Sequence, residues 1–266
     1  MNITEKDSYI TDSTRPRSVL SRMFLSAQYS FYPQLVWHVC IHSRRAAKRF
    51  YSGADWTEGS LAVMGSLENV GIKFEIDGMH NISSFDGPAV FIGNHMSALE
   101  TFVLPCLVQP LKPVTFVVKE SLIYTPVFKY IMRSRDPITV GRTNPREDLK
   151  AVLDQGPRKL QAGISIIIFP QSTRSVVFKP EEFNTLGVKL ASRNGVPVVP
   201  FALKTDAWGI GKYLKDFGPV DRKKKVHFTF GEPMKVEGRG TREHEQIIRF
   251  IQEKLEEWGE EERESH

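Results

Sequence analysis

Cysteine is scarce: Cys40 and Cys106 are the only two in 266 residues. Two thiols build neither a disulfide framework nor a four-cysteine zinc site, and they fit a reducing compartment. Long hydrophobic runs are absent and mean hydropathy is −0.27, which excludes a protein of several membrane spans. Met1 to Ser18 is polar, without the apolar core and small-residue cleavage site of a secretory signal. Common catalytic signatures are missing too. No Gly-x-Ser-x-Gly turn offers a strained serine nucleophile, and no Gly-x4-Gly-Lys-Ser/Thr loop cradles a nucleotide. Gly209-Ile-Gly211 lacks the third glycine of a dinucleotide site, and the seven histidines show no metal-ligand spacing. The expectation is therefore no metal and no resident cofactor.

What is present suits a folded chain. Hydrophobic residues make up 41% and charged residues 25%, and the length fits one large domain or two small ones. The net charge of +5 hides an asymmetry: Ile251 to His266 carries −5, so the rest carries +10. That body is drawn to an anionic partner. Nucleic acid is not expected, because zinc-finger spacing, an RNP-like aromatic motif and a long basic helix are all missing. A membrane surface or a phosphorylated small molecule remains.

Residues 1–60 divide from the rest. Met1 to Ser18 reads as a flexible arm. In Val19 to Ile41, Leu20, Phe24, Ala27, Phe31, Leu35 and Val39 recur at helical spacing, opposite a polar row of Arg22, Ser26, Ser30, Gln34 and His38, with Pro33 interrupting. Tyr29, Tyr32 and Trp37 add amphipathic rings, and Arg15, Arg17, Arg44, Arg45, Lys48 and Arg49 flank the segment. Too polar to span a bilayer, it is expected to lie in the interface, held by apolar area and anionic lipid. Residues 61–266 alternate strand and helix patterns. Strands are expected at Ile72–Ile76, Ala89–Ile92, Val114–Val118, Ile138–Val140, Ile164–Phe169, Val196–Leu203 and Val226–Phe230. Helices are expected at Glu100–Val108, Pro145–Gln161, Leu186–Arg193 and from Thr241 to about Glu257, the last leading into an acidic end. That alternation implies an α/β fold, a largely parallel central sheet with helices on both faces, preceded by the interfacial segment.

Three blocks could carry chemistry, each after an expected strand, where open α/β sheets bind ligands. Gly93-Asn94-His95-Met96-Ser97-Ala98-Leu99-Glu100 sets a histidine five residues before a carboxylate. Residues five apart on one helix do not meet, so His95 reaches Glu100 only from the turn before the helix. With Ser97 as N-cap, Glu100 falls at N3 and can hold one imidazole nitrogen while the other serves as a general base. The same Ser97-x-x-Glu100 pattern is also an ordinary capping box. Phe169-Pro170-Gln171-Ser172-Thr173-Arg174-Ser175 offers hydroxyls and a guanidinium suited to a phosphate. Ile138 to Arg142 and Val114 to Lys119 end their strands in further cations. Singly these are ordinary surface charges; together they favour an anionic ligand.

These blocks, in this order, resemble the glycerolipid acyltransferase family. Its His-x4-Asp block looks like His95 to Glu100, with Glu for Asp. Its strand ending in arginine is similar to Ile138 to Arg142. Its Phe-Pro-Glu-Gly-Thr-Arg-Ser block matches Phe169 to Ser175, with Gln171 for Glu and Ser172 for Gly. Its Val-Pro-Val-Val-Pro run matches Val196 to Pro200. The resemblance covers about Ile72 to Phe230. It implies transfer of a fatty acyl chain from acyl-CoA or acyl-carrier protein to a lysophospholipid hydroxyl, lysophosphatidate first, without a covalent acyl-enzyme. In that reading His95 is the base and Glu100 its orienting carboxylate. Lys119, Arg142, Gln171, Ser172, Thr173 and Arg174 bind substrate, and backbone amides near Val198 to Pro200 face the developing oxyanion. The implied location is the cytoplasmic face of a membrane, peripheral or monotopic. The departures at Gln171 and Ser172 keep two alternatives open: another lysolipid or an amine as acceptor, or a lipid-binding protein of the same fold without turnover.

Overall fold

Val90-Phe91-Ile92-Gly93 shows how the sheet is built. All four residues are buried, and alternate side chains enter two different apolar clusters, Phe91 on one face and Val90 and Ile92 on the other. The computed structural model describes residues 6–12, 14–23, 26–48, 50–171 and 173–264. In chain order the elements are β1 (Tyr9–Ile10), α1 (Val19–Met23), α2 (Ala27–Lys48), α3 (Gly53–Asn69), β2 (Lys73–Asp77), α4 (His80–Ser83), β3 (Val90–Gly93), α5 (Leu99–Val108), β4 (Val114–Lys119), α6 (Phe128–Ser134), β5 (Ile138–Val140), α7 (Pro145–Gln161), β6 (Ser165–Ile168), α8 (Leu186–Asn194), β7 (Val198–Lys204), β8 (Lys225–Phe230) and α9 (Thr241–Glu264). The sheet order is β1-β2-β8-β7-β3-β6-β4-β5. Strands β7, β3, β6, β4 and β5 are mutually parallel, so their C-terminal ends share one edge. Strand β8 runs antiparallel to β7, and β2 lies parallel to β8. The largely parallel α/β sheet expected from the sequence is present. One face is covered by α2, α3, α5 and α6, the other by α7, α8 and α9.

Gly93 is required where β3 meets β7. A Cβ there would lie 2.3 Å from the Phe201 ring and 2.5 Å from its carbonyl oxygen, so only glycine lets β3 pass into the next loop. Beyond it Asn94 clamps the same strand: its Nδ2 donates to the Leu203 carbonyl at 2.8 Å, and Leu203 N–H donates to Asn94 Oδ1 at 2.9 Å.

The first 60 residues are more integrated with the domain than the sequence suggests. Tyr9 and Ile10 pair with β2, Thr11 N–H donates to the Phe74 carbonyl, and Arg15 pairs with the buried Glu68 carboxylate. Helix α3 runs through residue 60, so a division there cuts an element. Helix α2 is continuous through Pro33. Its expected apolar row does not face outward: Ala27, Phe31 and Leu35 are buried, with Phe31 edge-on to Trp208 at 4.8 Å. Ser30, assigned to the polar row, is buried as well. Phe24 and the Leu20 side chain lie outside the described residues. The large apolar side chains that α2 shows to solvent are Tyr29, Val36 and Trp37. The stronger apolar row went to the core because the sheet needed a cover. No described helix is long and apolar enough to cross a membrane.

At the other end, α9 extends to Glu264. Trp258 is buried on His227, and Glu262 pairs with Lys204, so part of the acidic end is packed against the sheet.

The two faces of α2 make opposite demands. Phe31→Ala should cost about 3–5 kcal/mol in urea unfolding, whereas Trp37→Ser should stay within about 0.5 kcal/mol.

Candidate active site

Residues 94–98 form the turn between β3 and α5, at the C-terminal edge of the parallel strands. Ala98 occupies the N-cap, one residue later than expected, so Glu100 sits at the second helical position. Ser97 still serves the helix start, its Oγ accepting from Leu99 N–H at 3.0 Å. Glu100 is wholly buried and turns back under the loop. Its Oε1 accepts from the N–H groups of Met96 at 2.7 Å and Ser97 at 2.8 Å, and lies 2.8 Å from His95 Nδ1. Its Oε2 meets the hydroxyls of Ser97 at 2.9 Å and Thr205 at 2.7 Å. The imidazole contact is present, and of the expected capping box only the Ser97 N–H to Glu100 half is formed, because the N-cap is Ala98.

The protonation pattern follows. Burial opposes ionisation of Glu100, but hydrogen bonding and charge from His95, then Thr205 and the backbone, outweigh it and hold the carboxyl below its ordinary range. An ionised carboxylate only accepts, so His95 Nδ1 donates to it and Nε2 is the ring nitrogen left for other chemistry. The ring is fixed by stacking on Phe169, 4.3 Å between centroids at 16°. The loop is pinned from the β6 side: Gln171 Oε1 accepts from His95 N–H at 2.7 Å, and the His95 carbonyl accepts from Ser175 N–H at 2.9 Å.

Strand β5 brings Arg142 to the same edge. Its φ of 58° is left-handed, a costly conformation for any residue but glycine, and Asp148 in the first turn of α7 holds it. That carboxylate accepts from Gly141 N–H at 2.9 Å and Arg142 N–H at 3.1 Å. Burial, with the neighbouring Arg174 cation, pushes the Arg142 guanidinium down against the pull of Asp148. Arg174 therefore lies near enough for its charge to act on Arg142. Arg174 pairs with Asp216 in the β7–β8 connection at 2.5 Å. Lys119 lies exposed at the end of β4, in register with Val140 of β5.

Some expected sites sit elsewhere. Gln171 is buried with its side-chain oxygen committed to His95 N–H, so it supports the histidine loop instead of reaching into the cleft. Thr173 is exposed, and Ser172 lies outside the described residues. The Val198–Pro200 amides are not oxyanion donors. These residues are buried in mid-sheet, Val198 N–H is bonded to the Met234 carbonyl, and proline has no N–H. Val198 pairs with Val90, back from the edge that His95 occupies. Thr205, Asp148 and Asp216 escaped the sequence reading. Each contributes through a residue distant in sequence, so no local spacing announces it.

Elsewhere, Glu75, His227 and Glu261 bring potential ligand atoms within 4.8 Å of one another. Lys225 already pairs with Glu75 there at 2.6 Å, and this cluster lies on the α9 side of the sheet, apart from the His95 loop.

An α/β sheet whose parallel edge carries an imidazole–carboxylate pair and two arginines defines the class, and comparison with known proteins agrees. The chain belongs to the acyltransferase family: the family's sequence pattern, described as Acyltransferase, matches residues 73–204, and a full-length relative supports it. The 1-acyl-sn-glycerol-3-phosphate acyltransferase of Pseudomonas aeruginosa is 30% identical over 91% of this chain and 88% of its own length. A chloroplastic 1-acyl-sn-glycerol-3-phosphate acyltransferase of Brassica napus is 31% identical over 53% of this chain and 39% of its own. The crystal structure of the 1-acyl-sn-glycerophosphate acyltransferase PlsC of Thermotoga maritima shares the fold, with a TM-score of 0.62, 21% identity, and coverage of 87% of this chain and 94% of that one.

The Glu100 network sets a pH dependence. A carboxyl with a lowered folded pKa contributes stability that is present above its unfolded value of 4.5 and is lost as pH falls through the folded value. Glu100→Gln should therefore destabilise the protein most above pH 4.5, with the gap from wild type closing at lower pH in denaturant titrations. Thr205→Val, which removes one donor to Oε2, should cost about 1–3 kcal/mol in the same assay.

Proposed function

We propose that this acyltransferase moves a fatty acyl group from a thioester donor, acyl-CoA or acyl-carrier protein, to the free hydroxyl of 1-acyl-sn-glycerol-3-phosphate, giving phosphatidate. The observation that carries the reading is the His95–Glu100 pair, 2.8 Å from Nδ1 to Oε1, at the sheet edge that also bears Arg142 and Arg174. The names of the relatives supply the acceptor.

In this mechanism His95 Nε2 takes the acceptor's hydroxyl proton as the oxygen attacks the thioester carbonyl. Glu100 stays ionised and stabilises the imidazolium, whose positive charge it faces from burial. The tetrahedral adduct collapses, the carbon–sulfur bond breaks, and the imidazolium returns its proton to the leaving thiolate. No serine or cysteine nucleophile takes part. Arg142 and Arg174 bind the acceptor's phosphate, with Lys119 at the mouth. A guanidinium has five N–H donors, so Arg174 can keep Asp216 while it binds the phosphate. The exposed face of α2, with Tyr29, Val36 and Trp37, rests on the membrane that holds the lysolipid, leaving the protein peripheral.

The substitution of Gln at position 171 does not by itself favour an amine or a different lysolipid. Its side-chain oxygen accepts from His95 N–H, a task a glutamate oxygen performs equally.

Purified protein given lysophosphatidate and acyl-CoA should yield phosphatidate by product mass. His95→Ala should lower turnover by at least about 10²-fold with the unfolding midpoint little changed, and unaltered turnover would sink the mechanism. Arg174→Ala should raise KM for lysophosphatidate far more than it lowers kcat. Equal KM values for acceptors with and without phosphate would remove that role.

A further inference from the structure

Among the described residues, the large apolar side chains left in water are unevenly distributed. The segments following β4, β6 and β7 expose Tyr124, Val127, Val176, Val177, Tyr213 and Leu214, all at the edge that carries His95. Among the described loops at the opposite edge only the α2–α3 loop exposes one, Phe50, beside Arg135 and Gln109, and α7, α8 and α9 expose none. Apolar surface gathered on one side of a molecule marks a partner.

The β7–β8 connection is the most developed of these segments. Its base is closed: Trp208 bridges Val220 in antiparallel fashion, Gly209 N–H donates to the Pro219 carbonyl at 2.9 Å, and Gly211 N–H donates to the Lys215 carbonyl at 3.2 Å. The tip, Lys212-Tyr213-Leu214-Lys215, projects beyond that base, with Tyr213 89% and Leu214 67% exposed. Two apolar side chains bracketed by two lysines serve no packing need in the fold. They match a lipid interface, where the rings and aliphatic chains enter the acyl boundary and the ammonium groups meet anionic headgroups. The loop is also anchored inward. The Tyr32 ring of α2 lies tilted against Phe217, 5.1 Å between centroids, and its hydroxyl donates to the Gly218 carbonyl, while Asp216 binds Arg174 at 2.5 Å.

We infer that Lys212–Lys215 is a membrane-inserting tip that seats the active-site edge on an anionic phospholipid bilayer, with Asp216 tying its position to Arg174. The apolar residues are spread over three loops and α2, which fits an extended flat partner better than a small acidic protein. Asp216 is a positioning residue in this scheme: seating the tip fixes the guanidinium relative to the lipid surface. The inference rests on the lysolipid reading in one respect, that Arg174 meets a phosphate held in that bilayer.

The test uses the full chain with Cys40→Ser and an environment-sensitive fluorophore on Tyr213→Cys. Phosphatidylcholine vesicles containing phosphatidylglycerol should brighten the probe and shift it to the blue, while the same label on Glu237→Cys, in the β8–α9 loop at the opposite edge, should stay unchanged. Tyr213→Ser/Leu214→Ser should lower co-sedimentation with these vesicles by about tenfold or more, with its thermal midpoint preserved. A silent label at 213 on protein that still sediments, or no sedimentation at all, would overturn the inference. So would a response to an acidic acyl-carrier protein without one to vesicles. Acyl transfer to lysophosphatidate is measured on the same labelled protein. A responding label without transfer removes the functional reading and keeps the tip; transfer with a silent label does the reverse.

Discussion

The site depends on one buried anion. Glu100 has no exposed surface, and an ionised carboxylate out of water is tolerated only when its oxygens are fully bonded. Here five donors converge on it, from the turn after β3, from the His95 ring and from Thr205 at the end of β7. Satisfying that charge fixes the turn, starts α5 and joins two neighbouring strands. The imidazole is one donor in this set, so the side chain that proposes itself as base is oriented by the same interactions that stabilise the edge.

Parallel strands make the rest of the site possible. Because β3, β6, β4 and β5 end on one edge, His95, Arg174, Lys119 and Arg142 come together from segments far apart in sequence. The departures from the family's blocks look different in this setting. Glutamate at position 100 uses its extra methylene to reach back from the second helical residue to the loop amides and the ring together. Gln171 supports the histidine from below. Both side chains are committed to the histidine loop.

The N-terminal helix shows how a domain sorts its apolar surface. The more regular row of α2 covers the sheet, and Tyr29, Val36 and Trp37 are left outside. Core packing therefore takes one face of this helix and leaves the other in water. The exposed apolar loops lie at the edge where α2 meets the β7–β8 connection, so catalytic cleft and proposed membrane face share one side of the molecule.

Local patterns made much of this protein legible. Seven of the eight strands, and helices α5, α7, α8 and α9, stand close to where alternation, apolar runs and turn residues place them, because each buries its own apolar positions. Helix α3 was not, since Gly53, Gly59 and Gly65 dilute its periodicity; Gly59 is there because a Cβ would press on the His42 ring at 3.0 Å. The two-residue β1 has too little sequence to carry a pattern. For the site, the five-residue spacing of His95 and Glu100 is short enough for their pairing to be read along the chain, beside the capping box as the other reading of the same residues. Thr205 under Glu100, Gln171 under His95, Asp148 holding Arg142 and Asp216 on Arg174 were decided only by the tertiary structure. Their partners lie on other strands and loops, and no spacing along the chain encodes which strands become neighbours.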